Sequence, residues 1–173
     1  MDNKTNWAID STHSEIAFKV KHMMISTVTG HFEDFQATAK TDGENFNNAS
    51  ISFSAQTASI NTKNNDRDTH LKSDDFFNSE KFPEMKFVSK SFDNGKLIGD
   101  LTIRDVTKEI TLDADFNGIA VDPYGQTKAG FEIKGELNRK DYNLTWDAVT
   151  EAGSIVVSDK VKLAIDVQLI KQS

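Results

Sequence analysis

The sequence predicts an all-β protein, an eight-stranded antiparallel barrel with one short helix and a helical turn in its loops. Two observations point to this fold: apolar residues recur at every second position over most of the chain, and short turn sequences separate these runs. A period of two returns side chains to one face of a strand, whereas a helix repeats after about 3.6 residues. With 173 residues, 37% of them hydrophobic, the chain can bury such a core as one domain over residues 1–173.

Eight runs carry the strand pattern. Six alternate regularly, with apolar residues on one face and polar residues on the other: residues 15–21, 49–55, 97–103, 109–116, 128–137 and 160–169. Two less regular runs, near residues 28–40 and 85–92, complete the set. The alternation is most regular in the last two runs of the chain.

Turn residues separate several of the runs at short spacing: Asp42-Gly43, Asn94-Gly95, Arg104-Asp105 and Asp122-Pro123-Tyr124-Gly125. Because parallel strands need long crossover connections, such short links predict an antiparallel meander. Eight strands with one apolar face avoid exposed edges by closing into a barrel, or they divide into two packed sheets. We favour the barrel.

Two segments break the strand period. Residues 64–72 offer an Asn cap, acidic residues in the first turn and a Lys at the end, as a short helix prefers. The connector that follows, up to Phe82-Pro83, is irregular and rich in phenylalanine. Residues 139–157 lack clear periodicity and predict a long loop with a helical turn.

The aromatic composition indicates which side of the barrel is apolar. Alternation gives two faces without naming the inner one. A barrel of the outer membrane carries girdles of Tyr and Trp, whereas this chain has 12 Phe but only 2 Tyr and 2 Trp. Phenylalanine needs no hydrogen-bond partner in a dry interior. The composition therefore favours an apolar interior.

An eight-stranded barrel is close to the size at which side chains fill the interior or leave room for one small ligand. Small residues on the inferred inner face favour a cavity: Ala49, Ala55, Gly99, Ala114, Ala129 and Gly135. The alternative is that neighbouring Phe rings fill these gaps, since native interiors are normally close-packed. Periodicity leaves both interpretations open.

Charge and hydropathy argue against two classes of partner. The net charge of −7 offers no clustered basic surface for nucleic acid. No apolar run approaches the roughly 20 residues of a membrane-spanning helix, so integral membrane insertion is not expected. The start lacks a secretion signal, so the protein is expected to be cytoplasmic, or periplasmic or secreted if a signal peptide has been removed.

Sequence motifs argue against metal, nucleotide and nucleophilic chemistry. The chain has no cysteine, and its four histidines show no metal-ligand spacing. It contains no Gly-x-Ser-x-Gly elbow, no P-loop and no Gly-x-Gly-x-x-Gly turn. Neither a metal nor a cofactor is expected.

The best polar candidate is the cluster Asp66-Arg67-Asp68 with His70. On a helix, Arg67 and His70 stand at i and i+3, on one side, where they could meet a polar head group at the barrel mouth. Alternatively, Arg67 pairs with a carboxylate and holds the helix to the barrel. His22 follows the inward parity of its run and is either near the cavity or a hydrogen-bonded structural histidine.

A set of short motifs is spread through the chain from Trp7 to Leu169. In order they are Trp7-x-Ile9-Asp10-x-x-His13-Ser14-x-Ile16-x-Phe18, His22, Val28-x-Gly30-x-Phe32, Arg67-Asp68-x-His70-Leu71, Asp75-Phe76-Phe77, Phe82-Pro83, Gly99-x-Leu101-Thr102-Ile103, Gly135-x-Leu137-x-Arg139-x-Asp141 with Leu144-x-Trp146, and Val157-x-Asp159-x-Val161. Each motif is weak alone, but their order and coverage resemble those of the YceI-like family. Asp105 and Asn143 stand where that family usually has Gly, and both residue types tolerate a positive φ.

The resemblance implies a lipocalin-like barrel around an elongated apolar channel that holds a long isoprenoid lipid, such as an isoprenoid quinone, as its partner. The protein would be a carrier, store or sequestering protein, and a homodimer is compatible with this role. The residues expected to line the channel are Phe18, Val20, Ile51, Phe53, Leu101, Ile103, Leu112, Phe116, Phe131, Ile133, Leu163 and Ile165, with Phe76 and Phe77 closing or shaping one end. The head-group candidates are His22, Arg67, His70 and Tyr142.

Two other functions remain as hypotheses. A lipid-modifying enzyme would use Arg67, Asp68 and His70, or His22, as acid or base, and it requires such a group to be aimed into the cavity. A packed structural barrel would act through its surface or by self-association. A filled interior would favour this last hypothesis.

Overall fold

The computed structural model describes residues 4–147 and 157–172, and these form a closed antiparallel β-barrel with one α-helix. The strands are β1 (Thr5–Ile9), β2 (Glu15–His22), β3 (Ser26–Phe32), β4 (Phe35–Asp42), β5 (Asn45–Gln56), β6 (Ile60–Asn61), β7 (Glu84–Asp93), β8 (Lys96–Ile103), β9 (Val106–Val121), β10 (Thr127–Asn138) and β11 (Val157–Lys171), and the helix is α1 (Asn65–Lys72). Short 3-10 turns lie at Ser11–His13, Thr57–Ser59 and Arg139–Tyr142. The all-β barrel, its short helix and the helical turn after residue 138 are confirmed, whereas the predicted loop residues 148–156 lie outside the described part of the chain.

The barrel is a ring of eight positions, as predicted. Its order is β1-β4-β5-β7-β8-β9-β10-β11, and pairing of β11 with β1 closes it. β2 pairs with the first half of β11 and β1 with its end, so β1 and β2 follow one another along the same edge. β3 and β4 do the same on the next strand position, since they pair with β2 and β1 respectively.

Two positions of the ring are each formed by a pair of strands, β1 with β2 and β3 with β4. This explains why the sequence pattern does not predict β1 and predicts a single run over residues 28–40. Ile9 and Ile16 both face the interior but are an odd number of residues apart. Phe32 and Phe35 also both face the interior and are also an odd number of residues apart. Strand alternation requires an even separation, so each interruption shifts the inward phase by one residue. A 3-10 turn makes the shift in the first case and Glu33-Asp34 in the second.

The two ends of the barrel differ. The hairpin end carries three tight connections, β4–β5, β7–β8 and β9–β10, together with the start of β1 and the end of β11. The helix end carries the β2–β3 turn, the long segment with α1 between β6 and β7, the β8–β9 turn and the segment after β10. These two names are used below.

An aromatic cluster fills the hairpin end. The Trp7 and Phe46 rings have centroids 5.0 Å apart, Phe46 lies 4.9 Å from Phe131, and Phe131 lies 6.1 Å from Phe92. The indole nitrogen of Trp7, which is 1% exposed, donates a 2.8 Å hydrogen bond to the Thr41 hydroxyl. A buried Trp therefore keeps its polar atom paired while its ring completes the cluster.

The inner-face glycines do not leave empty space. A Cβ built on Gly99 would lie 2.4 Å from the Val88 carbonyl oxygen and 2.6 Å from the Phe87 ring, and one on Gly135 would lie 2.3 Å from Leu112. Of the six small residues predicted to open a cavity, Ala114 lines it. At the two glycines, neighbouring large side chains occupy the volume, which was the alternative interpretation of the pattern.

The β8–β9 turn also differs from expectation. The positive φ falls on Arg104, at 56°, rather than on Asp105, while Asn143 does adopt the left-handed conformation, with φ 61°. Arg104 donates from Nη1 to the carbonyl oxygens of Phe76, at 2.6 Å, and Asp74, at 3.0 Å. The turn residue thereby fastens the connector between α1 and β7 to the helix end of the barrel.

Candidate ligand-binding cavity

A cavity of about 220 Å³ lies inside the barrel. Its lining comes from most of the barrel strands, from α1 and from the segments on either side of the helix end. All of the lining residues are apolar except Thr38 and Arg139. The interior is therefore hollow and water-poor, as the resemblance implied.

Most of the predicted lining residues lie on the cavity wall. They are Phe18, Val20, Ile51, Phe53, Phe76, Phe77, Leu101, Ile103, Leu112, Phe131, Ile133, Leu163 and Ile165. Inward parity along regular strands was enough to find the eleven of them that lie on strands, because each strand keeps its phase between interruptions. Phe76 and Phe77 lie at the helix end and are 6% and 8% exposed.

The prediction that Phe116 lines the cavity is wrong. Its side chain is 48% exposed and it does not belong to the cavity wall, although it shares the parity of Leu112 and Ala114. The register between β9 and β10 shifts at Gly130/Phe131, so that Phe131 lies opposite Phe116 and Asn117 is the extra residue. Because directly paired residues of an antiparallel ladder share a face, Phe116 lies on the same side of the sheet as Phe131, but at the hairpin end of the barrel. Its ring packs against the aromatic cluster there, 5.6 Å from Phe46 and 5.2 Å from Phe131, and its remaining surface is exposed.

The polar cluster on α1 holds the helix to the neighbouring strand. Asp68, which is 9% exposed, accepts hydrogen bonds from the Thr62 backbone nitrogen at 2.9 Å and from the Thr62 hydroxyl at 2.5 Å. Arg67 donates to the same Thr62, from Nε to the hydroxyl at 2.8 Å and from Nη2 to the carbonyl oxygen at 2.6 Å. Arg67 therefore has the fastening role that was its alternative interpretation, through a threonine rather than a carboxylate, and it does not line the cavity.

The two candidate histidines lie at the helix end but outside the cavity wall. His70 is bonded through Nε2 to Asp75, at 2.8 Å, and its ring packs edge-on against Trp146 at 4.8 Å and Phe76 at 5.2 Å. His22 ends β2, where it lies opposite Val157 of β11, and it is partly buried.

Arg139 is a charged site residue that sequence reasoning missed, as it also missed several apolar lining residues such as Phe46 and Met85. It is 3% exposed and lines the cavity, yet all five of its N–H groups are engaged. The acceptors are the carbonyl oxygens of Leu144 and Trp146 at 2.7 Å, of Ser158 at 3.0 Å and of Val157 at 3.2 Å, and a carboxylate oxygen of Asp147 at 3.1 Å. One guanidinium thus joins the segment after β10 to the start of β11. Its place within the Gly135–Asp141 motif was the available signal.

Tyr142 lies next to this clamp and is 2% exposed. Its hydroxyl is buried and has no hydrogen-bond partner among the described residues. Burial raises the pKa of Tyr142 to about 12, so the hydroxyl keeps its proton over the physiological range. Tyr142 belongs to the core beside the cavity wall, between Arg139 and Leu144, both of which line it.

The described part of the chain holds neither a metal-binding cluster nor a membrane-spanning helix. Residues 4–147 and 157–172 contain no group of three or more His, Asp or Glu side chains that could hold a metal ion. Within the same residues, no helix is both long enough and apolar enough to cross a membrane.

A closed antiparallel barrel with an apolar internal cavity places the chain among the lipocalin-like barrels. The family model for the YceI-like domain matches residues 7–169. A UPF0312 protein of Staphylococcus aureus (strain MSSA476) is 38% identical over 159 residues, which are 91% of this chain and 93% of that protein. The chain belongs to the YceI-like family.

Solved structures share the fold. The YceI protein of Campylobacter jejuni superposes with a TM-score of 0.75 at 35% identity, covering 88% of this chain and 90% of that chain. Burkholderia cenocepacia BcnA superposes with a TM-score of 0.79 at 19% identity, covering 92% and 98%. A polyisoprenoid binding domain from Saccharophagus degradans superposes with a TM-score of 0.74 at 15% identity, covering 96% and 98%.

Proposed function

We propose that this protein binds a long isoprenoid lipid, such as a polyprenyl quinone, inside the barrel, as a carrier, store or sequestering protein. The observation that carries the proposal is the cavity wall, which is apolar except for Thr38 and Arg139. The polyisoprenoid binding domain with the same fold is consistent with this class of ligand.

Burial of the tail supplies the driving force. Each CH₂ group that leaves water contributes roughly 0.8 kcal/mol, so a long tail binds tightly without polar contacts. The free volume of about 220 Å³ is below the roughly 300–1,000 Å³ typical of ligand sites, so a long tail must displace lining side chains. Unbranched, flexible Met85 on the wall is suited to such movement.

The polar end of the ligand belongs at the helix end. The aromatic cluster around Phe131 occupies the hairpin end, so a tail enters more readily from the opposite side. At the helix end, Arg67, His70 and Arg139 are already bonded to protein acceptors. Tyr142 lies beside the cavity wall rather than on it, but its buried hydroxyl has no partner among the described residues. We therefore assign it the head-group contact, with a ligand carbonyl as the acceptor, once the ligand has displaced the neighbouring lining side chains.

Catalysis is less well supported by the same geometry. An acid or base must reach the substrate, and the two polar residues on the wall are Thr38 and Arg139. Arg139 has its donors engaged, Arg67, Asp68 and His70 are bonded to residues outside the wall, and His22 does not line the cavity. The hollow interior likewise favours ligand binding over a packed structural barrel.

The first test is direct. Organic extracts of the purified protein are expected to contain an isoprenoid lipid by mass spectrometry, and a quinone with a geranylgeranyl tail is expected to raise the melting temperature of the delipidated protein. Val161→Phe adds volume at the cavity wall and should weaken binding of the quinone by about tenfold, because overpacking costs about 1–3 kcal/mol.

Val88→Phe is the matched control, because Val88 is 53% exposed on the outside of β7 and the side-chain change is the same. It should leave quinone affinity unchanged. An extract without lipid, together with no change in melting temperature, contradicts the proposed function.

A further inference from the structure

The β2–β3 turn at the helix end exposes apolar side chains. Met24 is 65% and Ile25 81% exposed, and Met23 and Met24 form the centre of the turn with φ values of 52° and 58°. The Ile25 nitrogen donates to the His22 carbonyl oxygen at 3.2 Å, which closes the turn. Two consecutive residues with positive φ are typical of hairpin turns with the sequence Asn-Gly, and this conformation is unfavourable for methionine. The chain thus holds two large apolar residues in solvent, in a turn that other residues would form more readily.

A patch of lysines flanks this turn on the outer face of β2 and β11. Lys19 lies directly opposite Lys162 in the strand register, and both are exposed. Lys21 lies two residues nearer to the turn on β2, and Lys160 lies two residues nearer on β11. Neither Lys19 nor Lys162 makes an ion pair with a described residue. Because like charges placed opposite each other are destabilising, this arrangement costs stability in the free protein.

Much of the negative charge on the same face lies farther from the turn than the lysines do. Glu132, Asp166 and Glu15 are cross-strand neighbours in one row, on the side of the lysines that points to the hairpin end. Nearer to the turn, Glu136 on β10 lies opposite Lys162 in the strand register and is paired with Lys160 at 3.6 Å, so one carboxylate stands among four lysines. Several carboxylates at the helix end are engaged: Asp68 by Thr62, Asp74 by Arg104, Asp75 by His70, and Asp147 by Lys140. In a chain of net charge −7, this face is therefore polarised, with its positive part beside the apolar turn.

We infer that the β2–β3 turn, Met23 to Ile25, together with the lysine patch of Lys19, Lys21, Lys160 and Lys162, docks the helix end of the barrel onto an anionic lipid bilayer. The apolar turn enters the interface while the lysines lie over the head groups. Apolar burial combined with basic side chains is the usual basis of reversible binding to anionic membranes.

Position in the fold links this surface to the cavity. The turn is at the helix end, where the tail of a lipid would enter, and Val20 on the strand leading to it lines the cavity. A lipid of very low solubility must move between a bilayer and the barrel. The inference rests on the proposed function to this extent, since docking would bring the cavity to the source of its ligand.

The test is flotation with vesicles of phosphatidylcholine alone or mixed with phosphatidylglycerol. The wild-type protein is expected to float with the anionic vesicles and to be released by high salt, because exposed charges are screened. Lys19→Gln with Lys162→Gln should lower the partition coefficient by about thirtyfold, and Met24→Ser with Ile25→Ser by about tenfold.

The hairpin end supplies a matched control. Val121 and Tyr124 are 66% and 90% exposed there, so Val121→Ser with Tyr124→Ser removes exposed apolar side chains from the opposite pole. This variant should float like the wild type. All of the changed side chains are exposed, and unchanged urea midpoints verify the folds.

Quinone affinity is measured separately, by melting temperature in the absence of vesicles. A wild-type protein that binds the quinone but fails to float overturns the docking inference and leaves the proposed function intact. Equal loss of flotation in the turn and hairpin-end variants also overturns it. The inference is also overturned if the wild type does not bind vesicles and is a dimer, while the turn variant is a monomer. That result would assign the turn to contact with a second copy of the chain.

Discussion

At the scale of single residues, a buried polar atom without a partner is informative. Tyr142 sits in the core with a hydroxyl that has no partner among residues 4–147 and 157–172, and an unmade hydrogen bond in a dry site is costly. Arg139, three residues earlier, is equally buried but fully bonded. The two residues therefore have different roles, since Arg139 maintains the fold and Tyr142 has a donor to offer.

This difference gives a prediction for Tyr142→Phe. Without ligand, the variant should be at least as stable to urea as the wild type, because the substitution removes an unsatisfied hydroxyl and keeps the ring. Its affinity for a polyprenyl quinone should fall by up to about tenfold, the value of one hydrogen bond. Because the pKa of Tyr142 is raised to about 12, wild-type affinity should not change between about pH 6 and pH 9 from loss of this proton. A less stable variant that binds quinone as well as the wild type would show that the hydroxyl has a structural role instead.

At the scale of elements, the helix end is assembled by a few polar anchors. Asn64 caps α1 by accepting from the Arg67 backbone nitrogen at 3.0 Å, and Asp68 fixes the helix to Thr62. Arg104 ties the β8–β9 turn to the connector after α1. Arg139 joins the segment after β10 to β11. These long, irregular segments contain few strand pairings, so side-chain hydrogen bonds decide their positions.

Arg139→Ala is expected to lower the free energy of unfolding by about 3–5 kcal/mol, because it leaves buried carbonyl oxygens and a carboxylate without their donor. Urea denaturation measures the loss, and hydrogen exchange should show faster exchange in the segment after β10 and at the start of β11. Arg139→Lys should recover only part of the stability, because one ammonium cannot replace five planar donors.

Lys140→Ala is the control for Arg139. Lys140 belongs to the same 3-10 turn and pairs with Asp147 at 2.6 Å and Asp159 at 3.3 Å, but it is more exposed. Its loss should have a much smaller effect. Equal effects of the two substitutions would contradict the assignment of the clamp to Arg139.

At the scale of the whole molecule, a charge cluster joins distant parts of the chain. Asp10, which follows β1, accepts a hydrogen bond from Lys128 of β10 at 2.8 Å, and Lys128 also lies 3.5 Å from Asp122. The side chains of all three residues are largely buried. The hydrogen bond from Lys128 holds the pKa of Asp10 well below its usual range. The cluster therefore stabilises the closure of the barrel in a pH-dependent way.

The sign of this dependence follows from linkage. Since folding lowers the pKa of Asp10, its contribution is complete above the unfolded value of about 4 and is lost progressively as pH falls below it. Asp10→Asn should therefore reduce stability at pH 7, and the difference from wild type should shrink below about pH 4. Thermal unfolding between pH 7 and pH 2.5 measures both. Asp115→Asn, at an exposed position on β9, should show neither effect, and a difference for Asp10→Asn that is constant with pH would contradict the linkage.

The sequence by itself determined the class of fold, the short helix and part of the cavity wall. These depend on local periodicity, which Phe18, Leu101, Phe131 and Leu163 all obey, because side chains alternate strictly along a regular strand. The family motifs extended this to the identity of the barrel.

Only the tertiary structure decided the remaining features. Phe116 has the inward parity but lies at the hairpin end, where it packs on the aromatic cluster beyond the cavity wall. The phase shifts at β1–β2 and β3–β4 conceal strands that share a position in the ring. The roles of Arg139 and of the Met24 turn depend on which residues come together from distant parts of the chain. No local pattern records such contacts, since they arise when the barrel closes.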